Sequence, residues 1–174
     1  CALEYASAAL RNDPKIALAA VKRTKGGAID YVSEALKNDP RFMLSVARIN
    51  SFVAIWYASS NLRQQVDSLC ANNQGISVED ALAMIVAGLA VEEKEEELEK
   101  ERKQLGVEDS LKSLEILDLE TLVILGKNNI KTKDDLADLS SDELLEIVGD
   151  RVQDLEEANK IIMKAREDWF NEID

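Results

Sequence analysis

Adjacent carboxylates are the side chains of this sequence that come closest to a catalytic pattern. Asp134-Asp135 and Glu156-Glu157 each place two acidic groups side by side, which general acid–base catalysis can use. Each pair closely follows a residue spaced to cap a helix, however, and acidic groups in a first turn stabilise the helix by facing the positive end of its dipole. We therefore interpret both pairs as structural.

The other groups that enzymes commonly use are missing from the sequence. There is no histidine, which removes the commonest general base, proton shuttle and metal ligand. Gly26-Gly27 lacks the strand–loop–helix context of a phosphate-binding loop. No local signature marks a Ser/Lys nucleophile. The sequence therefore predicts a protein that is not an enzyme and that holds no metal ion or cofactor.

Two lysines flank a candidate nucleic-acid hairpin. The run from Leu125 to Thr132 has the outline of a helix-hairpin-helix motif, in which backbone N–H groups meet phosphate. Asn128-Asn129 stands where a second glycine is expected, and acidic residues follow at once. This charge disfavours direct nucleic-acid binding and favours a protein partner. The candidate partner-binding residues are Lys127, Asp134, Asp135, Asp138, Asp142 and Glu143.

The net charge of −13 is unevenly spread along the chain. Residues 1–75 hold nine Lys/Arg against six Asp/Glu, whereas residues 76–174 hold twelve against twenty-eight. A surface this negative repels phosphate and anionic membrane, so the second half is expected to bind neither nucleic acid nor membrane. The same charge also serves solubility, and the sequence does not separate the two roles.

Three features indicate a cytoplasmic protein. No apolar run is long enough to span a membrane, and no signal-peptide pattern opens the chain. Cys1 and Cys70 are the only cysteines, and their spacing suggests neither a disulfide framework nor a metal site. Because the chain opens on Cys1 and not on Met, we expect a segment of a longer protein.

The elements that position these residues are predicted to be helices throughout. Apolar residues make up 46% of the chain, while only two prolines and seven glycines are available for turns. The predicted class is all-α, with an N-terminal array of short helical hairpins in residues 1–71. A linker and charged connector helix follow in 72–105, and a helix-hairpin-helix bundle in 106–174.

The N-terminal array rests on a repeat with an offset of 26 residues. Ala2-Leu3-Glu4-Tyr5-Ala6-Ser7 recurs at 28–33 and again at 54–59, and Asn12-Asp13-Pro14 recurs at 38–40. Leu3, Ala6 and Leu10 share one helical stripe, which predicts an amphipathic first helix in each unit. Each unit needs a neighbour to cover its apolar face, as in stacked arrays.

The ends of the helices within each repeat can also be predicted. Asp13 is expected to cap a second helix that begins at Pro14, and Gly26-Gly27 to end the first pair. In the third copy Gln65-Val66 replaces Asp-Pro, so that helix is expected to run on toward Cys70.

Capping residues and glycines at short intervals predict where the later helices begin and end. Four pairs have N-cap spacing, and Gly126 and Gly149 are placed where helices should end. Between 92 and 103 the sequence is dominated by Glu and Lys, which predicts a solvated connector helix. The capping pairs are Ser77–Asp80, Thr132–Asp135, Ser140–Glu143 and Asp154–Glu157.

Several runs in the last part of the chain form a recognisable set, at 103–111, 125–139, 142–144 and 157–166, and they close on Trp169-Phe170. Through these runs, residues from about 93 to 174 resemble the C-terminal part of the NusA family, especially its alphaproteobacterial forms. It implies an acidic helix-hairpin-helix repeat that contacts RNA polymerase, notably the C-terminal domain of its alpha subunit. It also implies a role in pausing, termination and antitermination. The RNA-binding S1 and KH domains that precede this repeat in the family are not visible in the sequence.

Residues 1–70 instead resemble an uncharacterised family of tandem helical repeats with an Ala-Leu-Glu-Tyr-Ala-Ser…Leu-Arg-Asn-Asp consensus. Two further hypotheses therefore stay open: a repeat scaffold that binds an unknown protein, and an artificial or composite fusion with no natural function. In a scaffold, Tyr5, Tyr31 and Tyr57 share one register and could line a groove, although such a stripe more often belongs to the core between repeats.

Overall fold

The computed structural model describes residues 2–167 and Trp169, and within them the all-α prediction is confirmed. Twelve α-helices and three short 3-10 helices make up this part of the chain, which contains no strand. The chain divides into two compact units, Cys1–Val91 and Glu92–Asp174. Phe170, the last residue of the NusA resemblance, and Cys1 lie outside the described residues.

The first unit is a succession of short helices. They are α1 (Ala8–Arg11), α2 (Pro14–Arg23), α3 (Glu34–Lys37), α4 (Pro40–Ala47), α5 (Ser51–Tyr57) and α6 (Ser60–Asn72), followed by the start of α7 (Val78–Leu105). Two 3-10 helices, Ala2–Tyr5 and Ile29–Tyr31, open the first two repeats. Their core is built from apolar side chains of all three repeats and of α7, including Leu3, Val21, Met43, Val46, Ala54, Leu62 and Leu82.

The prediction of a single amphipathic first helix in each repeat is wrong. Ser7, Ser33 and Ser59 each adopt an extended backbone and accept a hydrogen bond from the N–H three residues later. A serine hydroxyl that caps in this way starts a new helix, so the segment is split at that residue. The spacing of the apolar residues is compatible with one continuous helix. In such a helix the N–H three residues after the serine would bond to a backbone carbonyl, but here it bonds to the serine hydroxyl.

The predicted second helices are confirmed where the sequence offers caps. Asp13 and Asp39 accept backbone N–H bonds at the starts of α2 and α4, and a proline is the first residue of each helix. α2 ends at Arg23, and the chain leaves it through Gly26 at φ 111°. α6 runs past Cys70 to Asn72, as the loss of Asp-Pro from the third copy predicted.

The repeats are joined by hydrogen bonds that recur at the 26-residue offset. The hydroxyl of Ser33 donates to Asn12 Oδ1 over 2.6 Å, and that of Ser59 to Asn38 Oδ1 over 2.6 Å. The backbone N–H groups of the same serines donate to the carbonyls of Arg11 and Lys37, each over 3.2 Å. The two junctions therefore have one geometry.

Tyrosine–carboxylate pairs join the same repeats. The carboxylate of Glu4 lies near the hydroxyl of Tyr31, and the carboxylate of Asp30 lies near that of Tyr57. The charge of Glu4 and burial raise the pKa of Tyr31, while interaction with Asp30 and burial raise the pKa of Tyr57. Both rings are half-buried. These two tyrosines link one repeat to the previous one, and the groove-lining hypothesis gains no support from them.

The longest continuously exposed stretch of α7 lies in its middle. Residues 90–97 are exposed, in keeping with the predicted charged connector. Ala81 and Leu82, by contrast, belong to the core of the first unit, and the side chain of Arg102 is 1% exposed within the second. The alternation of Glu and Lys predicted the helix correctly but gave no sign that its two ends are packed.

The second unit contains the end of α7 and five further helices. They are α8 (Asp109–Lys112), α9 (Leu119–Lys127), α10 (Lys133–Ala137), α11 (Ser141–Val148) and α12 (Leu155–Ala165), with a 3-10 helix at Gly149–Arg151. The core is drawn from all five and from the connecting segments, as shown by Val107, Leu111, Leu125, Ile130, Leu136, Leu144 and Ile162. The predicted ending at Gly149 is confirmed, with φ 59° at the C-cap.

The predicted helix end at Gly126 is wrong. Gly126 is buried inside α9, which continues to Lys127 and is capped by Asn128. A Cβ built on Gly126 would lie 2.5 Å from Val107 Cγ2 and 3.2 Å from Leu105 Cβ. Glycine is required here because the segment 105–107 passes against the helix, while the turn that follows uses Asn129 at φ 65°.

Arg102 connects the end of α7 to the segment that follows it. Its guanidinium donates to the carbonyl of Val107, to both oxygens of Glu99 and to Asp109 Oδ1 at 2.6 Å. Lys112 also donates to Glu99, over 3.1 Å. The hydrogen bonds from Arg102, helped by Lys112 and opposed by burial, lower the pKa of Glu99 to about 2. The buried charge is thus fully paired, as burial requires.

Gly126→Ala is expected to lower the free energy of unfolding by about 1–3 kcal/mol, because the added methyl overlaps Val107 and overpacking has costs of this size. Gly88→Ala is the matched control. Gly88 lies within α7 with no atom within 4 Å of its Cβ position, so alanine should stabilise the protein by roughly 0.5–1 kcal/mol. Urea unfolding followed by circular dichroism measures both, and equal effects of the two substitutions would contradict the close approach.

Glu99→Gln is expected to destabilise the protein at neutral pH but not in acid. The folded-state pKa of about 2 lies below the ordinary 4.5, so this stabilisation is complete above pH 4.5 and lost as the pH falls toward 2. The deficit at neutral pH should be about 1.5–3 kcal/mol, the range for hydrogen bonds to charged groups. Unfolding measured across that range, for both proteins, tests the prediction, and a deficit independent of pH would refute it.

Candidate protein-interaction site

The acidic residues predicted to bind a partner are brought together by α10, α11 and the turn between them. Asp134 and Asp135 lie in the first turn of α10, Asp138 is its C-cap, and Asp142 and Glu143 lie in the first turn of α11. Asp134, Asp138 and Asp142 are at least partly exposed. We call these three residues the acidic edge.

The other two acidic candidates are engaged in capping boxes. Asp135 Oδ2 accepts from the N–H groups of Lys131 and Thr132, each over 2.9 Å, and these bonds lower its pKa. Glu143 accepts from the N–H of Ser140 over 2.9 Å, which likewise lowers its pKa. The predicted N-caps Thr132 and Ser140 are confirmed, and each forms a capping box with its carboxylate, so these carboxylates hold the helix starts in place.

Lys127 is not part of the acidic edge. Its ammonium group pairs with Glu101 Oε1 at 2.9 Å, on α7. The prediction grouped Lys127 with the acidic residues because it stands near them in the hairpin sequence. In the structure its partner, Glu101, is 26 residues earlier in the chain. The many Glu and Lys residues of the connector did not indicate which of them would pair with Lys127.

Arg166 and Trp169 support the acidic edge, although neither was predicted as a site residue. Arg166 donates to the carbonyls of Ala137 and Leu139, over 2.8 and 3.2 Å. The indole N–H of Trp169 donates to Asp134 Oδ1 over 2.9 Å, and the guanidinium of Arg166 lies 5.9 Å from the centre of the indole ring. Both residues belong to the stretch that resembles NusA, but nothing in the sequence indicated that they contact the acidic residues.

The hairpin that precedes the acidic edge uses its own N–H groups internally. All five backbone N–H groups from 128 to 132 donate within the protein, the last two to the carboxylate of Asp135. A phosphate bound in the helix-hairpin-helix mode would need such groups as donors. In this structure these donors are already engaged within the protein.

Within residues 2–167 and 169, no group of three or more Cys, Asp or Glu side chains could hold a metal ion. In the same part of the chain, none of the helices combines the length and the apolar character needed to cross a membrane.

Comparison with known proteins gives no match: no family model fits the chain, and neither the curated proteins nor the solved structures include one that is significantly similar.

Asp135→Ala and Asp138→Ala are expected to differ in their effect on stability, because Asp135 helps to cap a helix and Asp138 is an exposed surface charge. Losing the two hydrogen bonds of Asp135 should reduce the free energy of unfolding by about 1–2 kcal/mol. Asp138 is exposed at a helix C-terminus, so its replacement should change stability by less than about 0.5 kcal/mol. Thermal and urea unfolding measure the difference, and a loss at Asp138 as large as that at Asp135 would count against the assignment.

Proposed function

We propose that residues 106–174 are the protein-interaction module of a transcription elongation, termination or antitermination factor. The module binds RNA polymerase, and the acidic edge contacts the C-terminal domain of the alpha subunit. The observation that carries this proposal is the set of exposed carboxylates on α10, α11 and the turn between them. Both helices have capping boxes, and Arg166 and Trp169 hydrogen-bond to this segment. The resemblance to NusA supplies the identity of the partner.

The charges support a surface that selects its partner electrostatically. Asp135 and Glu143 are bonded within their own helix starts, whereas Asp134, Asp138 and Asp142 are exposed. Asp134 also accepts the indole N–H of Trp169. Charges of this kind raise the association rate and exclude acidic partners, and their contribution falls with added salt. A basic patch on a folded domain is the chemistry that such an edge recognises. We place this activity in the reducing cytoplasm, where Cys70 would stay a free thiol.

The test is a titration of the full chain with the isolated C-terminal domain of the alpha subunit, at several salt concentrations. Saturable binding that weakens with salt is expected for the unsubstituted chain. Asp134→Asn, Asp138→Asn and Asp142→Asn together should weaken it about tenfold, since three solvent-facing pairs contribute roughly 0.5 kcal/mol each. Asparagine at 134 can still accept the bond from Trp169, so the frame is preserved.

Glu95→Gln, Glu96→Gln and Glu97→Gln together form the matched control. They remove the same charge from an exposed stretch of α7, and should alter affinity by less than about twofold. The proposal fails if no saturable binding occurs at low salt. It also fails if the two triple variants lose affinity equally, because binding would then depend on overall charge.

A second candidate function is a helical-repeat scaffold in residues 1–71. The observation that favours it is the identical set of hydrogen bonds at the two junctions between repeats. Arrays of this kind bind proteins with surfaces that continue from repeat to repeat.

A further inference from the structure

Each repeat of the first unit has two different faces. The acceptor face carries a carboxylate and an asparagine, as Glu4 with Asn12 or Asp30 with Asn38. The donor face carries a tyrosine and a serine, as Tyr31 with Ser33 or Tyr57 with Ser59. At both junctions the donor face of the later repeat binds the acceptor face of the earlier one through the serine hydroxyl and the serine N–H, and the tyrosine lies beside the carboxylate.

The donor face of the first repeat has the same residues but is exposed. Tyr5 and Ser7 occupy the positions of Tyr31 and Ser33, and Tyr5 is 85% exposed. The leucine beside them follows the same trend along the chain: Leu10 is 44% exposed, whereas its equivalents Leu36 and Leu62 are 7% and 2% exposed.

The next helix continues this exposed face. Ile16 is 41% exposed, and its equivalent in the second repeat, Phe42, is 4% exposed. In the first repeat, therefore, both the hydrogen-bond donors and these apolar side chains are exposed to solvent. In the second repeat the apolar side chains at the equivalent positions are buried.

The acceptor face of the third repeat does not match this surface. Trp56 replaces the carboxylate, and Gln64 replaces the asparagine. Trp56 is exposed and stacks on Phe52, with ring centroids 6.1 Å apart. The third repeat of a second copy therefore lacks both acceptors, and the other two acceptor faces of that copy are occupied. The occupant must be a different repeat.

We propose that the donor face of the first repeat binds the acceptor face of another helical repeat of this 26-residue class. That repeat carries Asp or Glu at the position of Glu4 and Asn at the position of Asn12. The complementarity is specific, because both polar pairs and the covered leucine already occur twice within this chain. The proposal rests on the repeat-scaffold candidate and is independent of binding to RNA polymerase.

The test extends the full chain upstream of Ala2 with a second copy of residues 2–27, which keeps the 26-residue register. The extended protein should show a higher urea midpoint for the repeat unit. Backbone amides of residues 8–12 should exchange with solvent about tenfold more slowly, the effect expected for one or two net hydrogen bonds.

The matched control carries Glu4→Leu and Asn12→Gln in the added copy alone, because leucine, like the Trp56 of the third repeat, has no acceptor oxygen at this position. Glutamine is the residue that the third repeat has in place of the asparagine, so the variant imitates a face that does not match. It should lose most of the gain in midpoint and in protection. Tyr5→Phe in the original repeat should lower the midpoint of the extended chain and leave that of the unextended chain unchanged.

Three results would overturn the proposal. In the first, the extension changes neither the midpoint nor the exchange of residues 8–12. In the second, the extension and its matched control stabilise equally, which would mean that apolar contact alone is sufficient. In the third, the unextended chain dimerises with residues 8–12 protected, which would assign the donor face to a second copy. None of these results depends on whether the acidic edge binds RNA polymerase.

Discussion

The second unit depends on one buried guanidinium. Arg102 fixes the carbonyl of Val107 at the end of α7, and the side chain of Val107 packs against Gly126. The next residue in the chain, Glu108, donates its N–H to the carbonyl of Lys131 over 2.9 Å, while the N–H of Lys131 is bound by Asp135. A continuous series of contacts thus runs from Arg102 to the start of α10. The position of the acidic edge follows from it, because each hydrogen bond in the series is directional. An apolar residue of similar volume could fill the same space, but it could not fix the direction of these hydrogen bonds.

The first unit solves a different problem, since each repeat is too small to enclose a core. Val21, Met43, Val46 and Ala54 come from successive repeats and are covered only when the repeats are adjacent. Apolar burial supplies most of the stabilisation, but it is not directional and tolerates displacement. The Ser–Asn bonds and the bonds from the serine N–H groups are directional, and they recur at the same positions in both junctions. They set which neighbour is accepted and in which register it binds.

Local features were predicted well from the sequence, and contacts between distant residues were not. N-caps such as Asp13 and Ser140 could be identified because the group they bind is two or three residues away. The all-α class follows from the same local signals. The fit of Gly126 against Val107, and the bond from Trp169 to Asp134, depend on segments that meet only in the folded chain. The split first helix shows that two local signals can also conflict. Ser7 lies within a segment whose apolar stripe fits a continuous helix and is also a good N-cap, and in the structure it acts as the cap. Of the candidate site, the acidic positions were predictable and their division into capping and solvent-facing groups was not.

The matching faces of the repeats also have a consequence for the gene. An in-frame duplication or deletion of one whole repeat joins an unchanged donor face to an unchanged acceptor face, so every junction in the altered protein already has its partner. Copy number can therefore vary without new mutations elsewhere, until a repeat such as the third exchanges its carboxylate for Trp56. A duplication of the third repeat would instead place a donor face against Trp56 and Gln64, in a face that lacks both the carboxylate and the asparagine.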